Sequence, residues 1–354
     1  MNKKIVFTGG GTAGHVTPNI ALLPYLQKEG YDAFYIGSYN GIEKRLMEDF
    51  DIPYYGISTG KFRRYFDLKN LSDPFRVIKG YSQALKILKE LKPDIVFSKG
   101  GFVSVPVVRA AASLKIPCII HESDMTPGLA NKLCIPVATK VCCNFPETTK
   151  YVPSGKAVLT GSPIRTELTT GSKLAALELC GFTANKPVVM VIGGSQGAAS
   201  VNVMIREALP KLLEEFQVVH ICGKDKVDNL MLTIPGYKQF EYLKSDLKDV
   251  FAMADVVVSR AGANAICELL ALKKPNLLIP LQMGTRGDQI LNARSFEEQG
   301  FSMAVREDFI DCDILADKIK ELYENRQVYI DKMCESNQMN SIPTIVELIK
   351  ECSK

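Results

Sequence analysis

Metal-binding side chains are scarce in this sequence of 354 residues. It contains three histidines, His15, His121 and His220, and none of its ten cysteines is spaced CxxC. Cysteines scattered in this way, with Cys142 and Cys143 adjacent, are typical of reduced thiols that pack in a core. The sequence therefore predicts neither a metal site in the protein nor a disulfide framework, and it indicates no cofactor.

Long apolar runs are also missing. No uninterrupted apolar stretch approaches the roughly 18–20 residues that cross a bilayer. The first apolar run meets Gly9 too soon to form the apolar core of a signal peptide. With 46% hydrophobic and 23% charged residues, the composition excludes a disordered or low-complexity chain. We expect two domains, in the cytosol or on the cytosolic face of a membrane.

Positive charge is concentrated in one segment. Residues 61–92 hold nine basic and three acidic residues, a net charge of +6, so the rest of the chain carries −2 of the total of +4. This asymmetry disfavours a nucleic-acid binder and favours one patch with an anionic partner. Aromatic rings interleave with the cations, as at a site that contacts anionic lipid headgroups. The predicted membrane patch consists of Phe62, Arg63, Arg64, Tyr65, Phe66, Phe75 and Arg76. A solvated, partly buried helix pair and an RNA site are the alternatives.

Apolar runs that alternate with helical patterns predict an α/β protein with parallel sheets covered on both faces. The predicted strands cover 4–8, 33–36, 94–98 and 117–121, then 187–192, 217–222, 255–259 and 275–280. Each series begins with a strand that enters glycines and then a helix. We therefore expect two Rossmann-like domains, 1–161 and 162–342. The amphipathic segment 343–354 is a candidate to pack back on the first domain.

The first glycine motif, residues 9–15, fits GxGxxG, yet no acid follows at the end of the second strand. Dinucleotide binding usually needs that acid, so we disfavour it; a turn that serves packing alone is the other alternative. Thr17 as cap and Pro18 in the first turn predict a helix start beside His15. The positive end of that helix favours a neutral imidazole, the form that a general base needs.

Two later motifs indicate a bound nucleotide. Residues 193–198 combine glycine amides, a hydroxyl and a helix start, which suits a phosphate or pyrophosphate. Glu268 lies in the early turns of the helix after 255–259, where its carboxylate can bind both ribose hydroxyls. Gln289, near the start of a further helix, is a candidate for sugar hydroxyls. A packing turn and ordinary solvated or capping side chains are the alternatives, and the chain has no GxxxxGK[ST] loop.

Taken together, these motifs resemble glycosyltransferase family 28, the N-acetylglucosaminyltransferases of bacterial cell-wall synthesis. The matching stretches, in the family's order, are GGGTAGH (9–15), HESDMTPGLANK (121–132), GSPIR (161–165), GGSQGA (193–198), SRAGANAICEL (259–269) and GDQILNA (287–293). The resemblance implies a GT-B fold, with two Rossmann-like domains whose parallel sheets face a central cleft. It implies inverting transfer of N-acetylglucosamine from UDP-N-acetylglucosamine to the 4-hydroxyl of MurNAc in lipid I (undecaprenyl-pyrophosphoryl-MurNAc-pentapeptide), giving lipid II and UDP. It also implies peripheral attachment to the cytoplasmic face of the cell membrane.

The resemblance further assigns roles to single residues. It makes His15 the base for the acceptor hydroxyl, and it makes 1–161 the acceptor and membrane-association domain and 162–342 the UDP-N-acetylglucosamine domain. The implied donor contacts are Thr12, Ala13, Gly14, Asp124, Arg165, Ser195, Lys244, Ala263, Asn264, Ala265, Ile266, Cys267, Glu268 and Gln289. Arg165 and Ser195 would face the diphosphate, Ala263 to Glu268 the uridine and ribose, Gln289 the sugar, and Lys244 the uracil.

Two positions depart from the family pattern. Asp124 stands where asparagine is usual; a carboxylate cannot donate a hydrogen bond and repels a nearby diphosphate. Ala13 replaces a common glycine at no cost in polar groups. Alternatives to this function are another enzyme of the same fold, such as a glycolipid-forming glycosyltransferase or a UDP-N-acetylglucosamine epimerase, and a nucleotide-binding module without activity.

Overall fold

A computed structural model describes residues 2–60, 69–194, 197–282, 287–336, 338 and 341–353, except for the side chains of 69–74. The chain divides into two units. Unit 1 comprises Met1–Arg165 and Asn340–Lys354, and unit 2 comprises Thr166–Met339. The break after Arg165 lies a few residues beyond the boundary expected from the sequence.

Unit 1 is built on a seven-stranded parallel sheet with the order β3-β2-β1-β4-β5-β6-β7. Its strands are β1 (Lys3–Thr8), β2 (Tyr31–Ser38), β3 (Tyr54–Ile57), β4 (Ile95–Ser98), β5 (Cys118–Glu122), β6 (Lys140–Cys143) and β7 (Ala157–Leu159). Its first helices are α1 (Thr17–Lys28), α2 (Ile42–Met47), α3 (Lys69–Leu91), α4 (Ser104–Ser113) and α5 (Leu129–Cys134). Alternate residues of β1 enter opposite cores: Ile5 and Phe7 pack on the side of α1, and Val6 packs on the side of α4. The sheet is therefore covered on both faces, as the unbroken apolar runs predict.

Unit 2 repeats this plan with a six-stranded parallel sheet in the order β10-β9-β8-β11-β12-β13. Its strands are β8 (Val188–Ile192), β9 (Gln217–Ile221), β10 (Tyr237–Phe240), β11 (Val256–Ser259), β12 (Asn276–Leu278) and β13 (Met303–Ala304). Its helices are α6 (Lys173–Cys180), α7 (Ala199–Glu215), α8 (Leu247–Met253), α9 (Ala263–Ala271), α10 (Asp288–Glu298), α11 (Cys312–Glu324) and α12 (Arg326–Cys334). Ile205 of α7 and Leu315 of α11 share one core with Val189 and Val258 of the sheet.

The last helix, α13 (Ser341–Cys352), belongs to unit 1. Ile345 and Ile349 are fully buried in the core that also contains Ile5 and Leu22. The Ser341 hydroxyl donates to the Ser162 carbonyl over 2.9 Å. The end of the chain therefore completes the core of the unit with which the chain begins.

The cysteines agree with the thiols that the sequence predicts to pack in a core. All ten cysteines are free and seven of them are buried. Among the helices of the described residues, none is both long enough and apolar enough to cross a membrane.

Candidate active site

The loop after β1 lies at the centre of the carboxyl edge of the sheet in unit 1. β1, β4 and β5 are neighbours in the sheet, so the loops that follow Thr8, Ser98 and Glu122 emerge side by side. Ligands of open parallel sheets bind at this edge. The Gly10 amide donates to the Gly100 carbonyl over 3.3 Å, so the loop after β1 is joined to the loop after β4.

Gly101 permits the closest approach between these two loops. Its φ is +83°, and a Cβ there would lie 2.2 Å from the Gly10 carbonyl oxygen and 3.1 Å from Nδ1 of His15. Heavy atoms that are not bonded to each other do not approach to 2.2 Å. The position of His15 therefore depends on a glycine in the neighbouring loop, as well as on the glycines of its own motif.

His15 ends a short 3₁₀ turn, Ala13–His15, and its imidazole has a defined tautomer. Nδ1 lies 3.1 Å from the Gly10 carbonyl, which can only accept, so Nδ1 carries the proton and Nε2 carries the lone pair. Thr12 Oγ1 lies 3.1 Å from the same nitrogen. Burial, followed by the positive charge of Lys99, lowers the pKa of His15 to about 4, against the opposing effects of the Gly10 carbonyl and Glu43. The imidazole is neutral near pH 7 and can accept a proton at Nε2.

The predicted cap of α1 is wrong. Val16 is the N-cap and Thr17 is the first helical residue, with Pro18 in the first turn as expected. The Thr17 hydroxyl donates back to the Ala13 carbonyl over 3.2 Å and so does not cap the helix. Burial and Lys99 favour the neutral state of His15, and the helix still begins close to this residue, at Thr17.

Glu43 holds the glycine loop, a role that no sequence motif predicted. Its side chain is fully buried. One carboxylate oxygen accepts from the Gly11 amide over 3.1 Å, and the other accepts from the Ser38 amide over 3.0 Å and from the Ser38 hydroxyl. The acid that a dinucleotide-binding motif has at the end of the second strand is absent. Glu43, an acid in α2, instead binds the backbone of the glycine loop. A glutamate soon after the second predicted strand was the available signal.

Lys99 and His121 form a second buried group at this edge, and only His121 fell within a predicted motif. The Lys99 ammonium donates to Nδ1 of His121 over 2.7 Å and also to the Ser123 hydroxyl. Nε2–H of His121 donates to the Gly161 carbonyl over 2.9 Å. Burial and the charge of Lys99 hold the pKa of His121 well below its usual value, so this imidazole is neutral and serves as an acceptor for Lys99.

Glu122 organises the loop after β5, on which Asp124 lies. Its carboxylate accepts from the amides of Asp124 (2.9 Å) and Gly128 (3.1 Å), and from the Asn131 side chain (2.8 Å). Burial raises the pKa of Glu122, although these hydrogen bonds oppose the shift. The structure thus places Asp124, half-buried, at the same sheet edge as His15. Arg165 is half-buried at the end of the first segment of unit 1. The donor contacts of Asp124 and Arg165 stay predictions.

In unit 2 the glycine motif follows β8, and two helices begin beside it. β8, β11 and β12 are neighbours in the sheet. Residues 193–194 and 197–198 lead into α7, and Gly262 is the N-cap of α9. A Cβ on Gly197, whose φ is +70°, would lie 2.0 Å from the Cys222 carbonyl oxygen, so this turn requires glycine. Ser195 lies outside the described residues.

Arg260 ties together the loops at this edge of unit 2, and no role was predicted for it. Its guanidinium pairs with Glu307 at 2.8 Å. It also donates to the Ser200 hydroxyl at the start of α7 and to the Ile279 carbonyl after β12, each over 2.9 Å. The arginine side chain is 10% exposed. A charged side chain buried to this extent holds the starts of the loops in a fixed relation.

The remaining predicted donor contacts lie on several elements of unit 2. The first six residues of α9 are Ala263, Asn264, Ala265, Ile266, Cys267 and Glu268. Glu268 is half-buried in the second turn of this helix. Gln289 is the second residue of α10, and its side-chain oxygen accepts from the Leu281 amide over 3.0 Å. Lys244 is exposed shortly before α8. The structure brings the starts of α9 and α10 to the carboxyl edge, whereas the ligand contacts of these residues stay predictions.

The predicted membrane patch is described in part. Phe75 and Ile78, three residues apart on α3, are 75% and 65% exposed, and Arg76 and Lys79 are exposed beside them. Phe62, Arg63, Arg64, Tyr65 and Phe66 lie outside the described residues.

Two parallel-sheet units with glycine turns and helix starts at their carboxyl edges are typical of nucleotide-sugar glycosyltransferases. The family comparison agrees: the glycosyltransferase family 28 N-terminal domain matches residues 5–143, and the corresponding C-terminal domain matches residues 188–349. The chain belongs to glycosyltransferase family 28.

Curated relatives match it along its whole length. A protein of Lachnospira eligens named UDP-N-acetylglucosamine--N-acetylmuramyl-(pentapeptide) pyrophosphoryl-undecaprenol N-acetylglucosamine transferase is 64% identical, over 99% of this chain and 100% of its own. A relative of the same name from Clostridium botulinum is 56% identical over the same shares.

Solved structures agree on the fold. The crystal structure of Acinetobacter baumannii MurG has a TM-score of 0.79 at 27% identity and covers 99% of both chains. The UDP-GlcNAc 2-epimerase from Neisseria meningitidis has a TM-score of 0.67 at 16% identity, with 99% of this chain and 100% of that chain covered. The second likeness shows the fold alone. Together the comparisons confirm the predicted family and the GT-B fold.

Proposed function

We propose that this chain transfers N-acetylglucosamine from UDP-N-acetylglucosamine to the 4-hydroxyl of MurNAc in lipid I, and so produces lipid II and UDP for peptidoglycan synthesis. One observation carries the proposal: relatives that are 56–64% identical along the whole chain bear the name of this activity. The half-buried, neutral imidazole of His15 at a sheet edge supports it independently.

In this proposal His15 is the general base. Nε2 takes the proton of the acceptor hydroxyl while the hydroxyl oxygen attacks the anomeric carbon of the donor sugar. The bond from that carbon to the UDP oxygen breaks in the same displacement, so the configuration inverts and UDP leaves with the electron pair. The tautomer held by the Gly10 carbonyl leaves Nε2 available for this step. A well-placed base contributes about 10²–10⁴ to the rate.

The donor binds mainly to unit 2 in this proposal. The diphosphate lies against the starts of α7 and α9, whose backbone amides and helix dipoles stabilise the charge that develops on leaving UDP. Ser195 and Arg165 bind the same group, and Glu268 binds the ribose. The sugar hydroxyls and the uracil are bound through Gln289 and near Lys244. Thr12, Ala13, Gly14 and Asp124 are the donor contacts proposed from unit 1.

The test is UDP release from UDP-N-acetylglucosamine with and without a lipid I analogue. The proposed transferase releases UDP only with the acceptor and converts the analogue into a disaccharide product. A UDP-N-acetylglucosamine epimerase would change the donor without any acceptor, and a binding module would retain the donor unchanged. Either of these results would refute the proposal.

We also propose that α3 attaches the protein to the anionic cytoplasmic face of the membrane. Phe75 and Ile78 form an exposed apolar pair beside Arg76 and Lys79, which together suit the lipid interface and its negative headgroups. The test is partition onto vesicles that contain anionic lipid. Phe75→Ser with Arg76→Glu is expected to weaken it, whereas Leu174→Ser, 76% exposed in unit 2, is expected to leave it unchanged. Equal partition of the two variants would refute attachment to the membrane through α3.

A further inference from the structure

Two buried ionisable side chains lie against the loop of His15 and have no part in the chemistry proposed above. Glu43 is 0% exposed and Lys99 is 1% exposed. Burial of a charged side chain costs free energy unless hydrogen bonds and other charges compensate for it. A second function is therefore worth seeking for both.

We propose that Glu43 and Lys99 are positioning residues for His15: Glu43 anchors the loop that carries the imidazole, and Lys99 holds a fixed positive charge near it. This inference rests on the proposed function, in which His15 is the base.

The case for Glu43 is its bridge between two segments. Its two oxygens accept from the Gly11 amide and the Ser38 amide, so the carboxylate ties the loop after β1 to the end of β2. The fit is close, because a Cβ on Gly10 would lie 2.5 Å from the carboxyl carbon of Glu43 and a Cβ on Gly41 would lie 2.2 Å from its Oε1. Loss of this anchor would let the loop of His15 move.

The case for Lys99 is the immobility of its charge. The backbone amide of Lys99 donates to the Thr8 carbonyl over 3.0 Å. This hydrogen bond fixes the backbone of Lys99 beside the end of β1. Its ammonium is bound to His121 at 2.7 Å, and His121 is held in turn by the Gly161 carbonyl. A Cβ on Gly9 would lie 2.5 Å from the His15 carbonyl oxygen and 3.3 Å from Cβ of Lys99. Lys99 therefore flanks the loop of His15, and its bound ammonium needs no reorganisation.

These two charges act on His15 in opposite directions. Lys99 lowers its pKa and Glu43 raises it. Two uncharged side chains also bind the segment: the Asn19 amide of α1 donates to the Thr8 carbonyl, and the Tyr35 hydroxyl of β2 donates to the Gly9 carbonyl. Burial raises the pKa of Tyr35, so it remains a phenol. Removal of each charge in turn should shift the titration of His15 with opposite signs.

The experiment is an NMR titration of the three histidines in the free protein, with His15 assigned by its absence from His15→Gln. Lys99→Met and Lys99→Gln are expected to raise the pKa of His15 from about 4 by about one unit. Glu43→Gln is expected to lower it and, by loss of one loop anchor, to reduce turnover about tenfold. Two lysine variants are used because either one alone could fail to fold.

Each matched control makes the same type of substitution at a different position in the chain. Lys115→Met removes an exposed lysine beyond α4, and Glu48→Gln removes an exposed glutamate just after α2. Both are expected to leave the titration of His15 unchanged. If the lysine variants or Glu43→Gln also leave it unchanged, or shift it in the same direction as each other, the inference is overturned.

The rate profile separates this inference from the proposed function. If His15 is the base, the acid limb of kcat/KM moves with the pKa of His15 in each variant. A pKa that shifts as expected while the acid limb stays in place supports the inference and overturns the assignment of His15 as the base.

Discussion

The close contact of Gly101 with the loop of His15 gives the sharpest prediction. Gly101→Ala adds one carbon atom at a position 2.2 Å from the Gly10 carbonyl oxygen and 3.1 Å from Nδ1 of His15. Ordinary contacts begin near 3.4 Å, so the two loops must separate by about 1 Å. A misplacement of about 1 Å can cost about 10²-fold in rate. We expect turnover to fall by about that factor, with donor affinity little changed because the proposed donor site lies mainly on unit 2.

Gly155→Ala is the matched control for this prediction. Gly155 has a φ of +79°, close to the +83° of Gly101, yet a Cβ there meets nothing within 4 Å. Both variants carry the same backbone strain of about 1–2 kcal/mol, and only Gly101→Ala adds the collision. The assay is steady-state turnover together with the free energy of unfolding in denaturant. Turnover of Gly101→Ala within threefold of Gly155→Ala would refute the argument that this contact positions His15.

Two further predictions concern stability. Arg260→Met leaves Glu307 without its partner and is expected to cost about 3 kcal/mol. The double variant Arg260→Met with Glu307→Met should recover most of that stability. Its affinity for donor should stay below that of the natural protein, because the hydrogen bonds of Arg260 to the other loops stay lost. Recovery of both the stability and the affinity, measured by calorimetry, would contradict this role. Burial also lowers the pKa of His15 to about 4 and of His220 to about 3. The unfolded chain then binds more protons below pH 6.5, so the unfolding free energy should fall by about 1.4 kcal/mol per pH unit for each histidine between pH 6.5 and 4. A flat profile over that range would show that these imidazoles are not held neutral.

The central strands could be predicted from the sequence because their signal is local. Runs such as 5–7 and 187–192 are apolar throughout, since both faces of the sheet are covered. Five strands of the described residues were not predicted: β3, β6, β7, β10 and β13. β7 has three half-buried residues and β13 has only two residues in all, so neither forms an apolar run that stands out from a loop.

The residues of the site also divide into those that the sequence predicted and those that it did not. His15 and the glycine turns form short continuous motifs, and their placement at a sheet edge follows from the strands before them. Glu43 and Lys99 come from segments that are distant along the chain. Both reach the loop of His15 only because β1 lies between β2 and β4 in the sheet. Single-sequence patterns do not specify that strand order. The same reason explains why the neutral state of His15 was expected from the helix start alone, without the contribution of Lys99.

The most direct test of the account compares His15→Gln with the natural protein in turnover of a lipid I analogue and in equilibrium binding of UDP-N-acetylglucosamine. The account predicts that turnover falls by about 10²–10⁴ while the Kd of the donor stays within about threefold. Turnover within tenfold of the natural protein would remove His15 from the reaction and contradict the account.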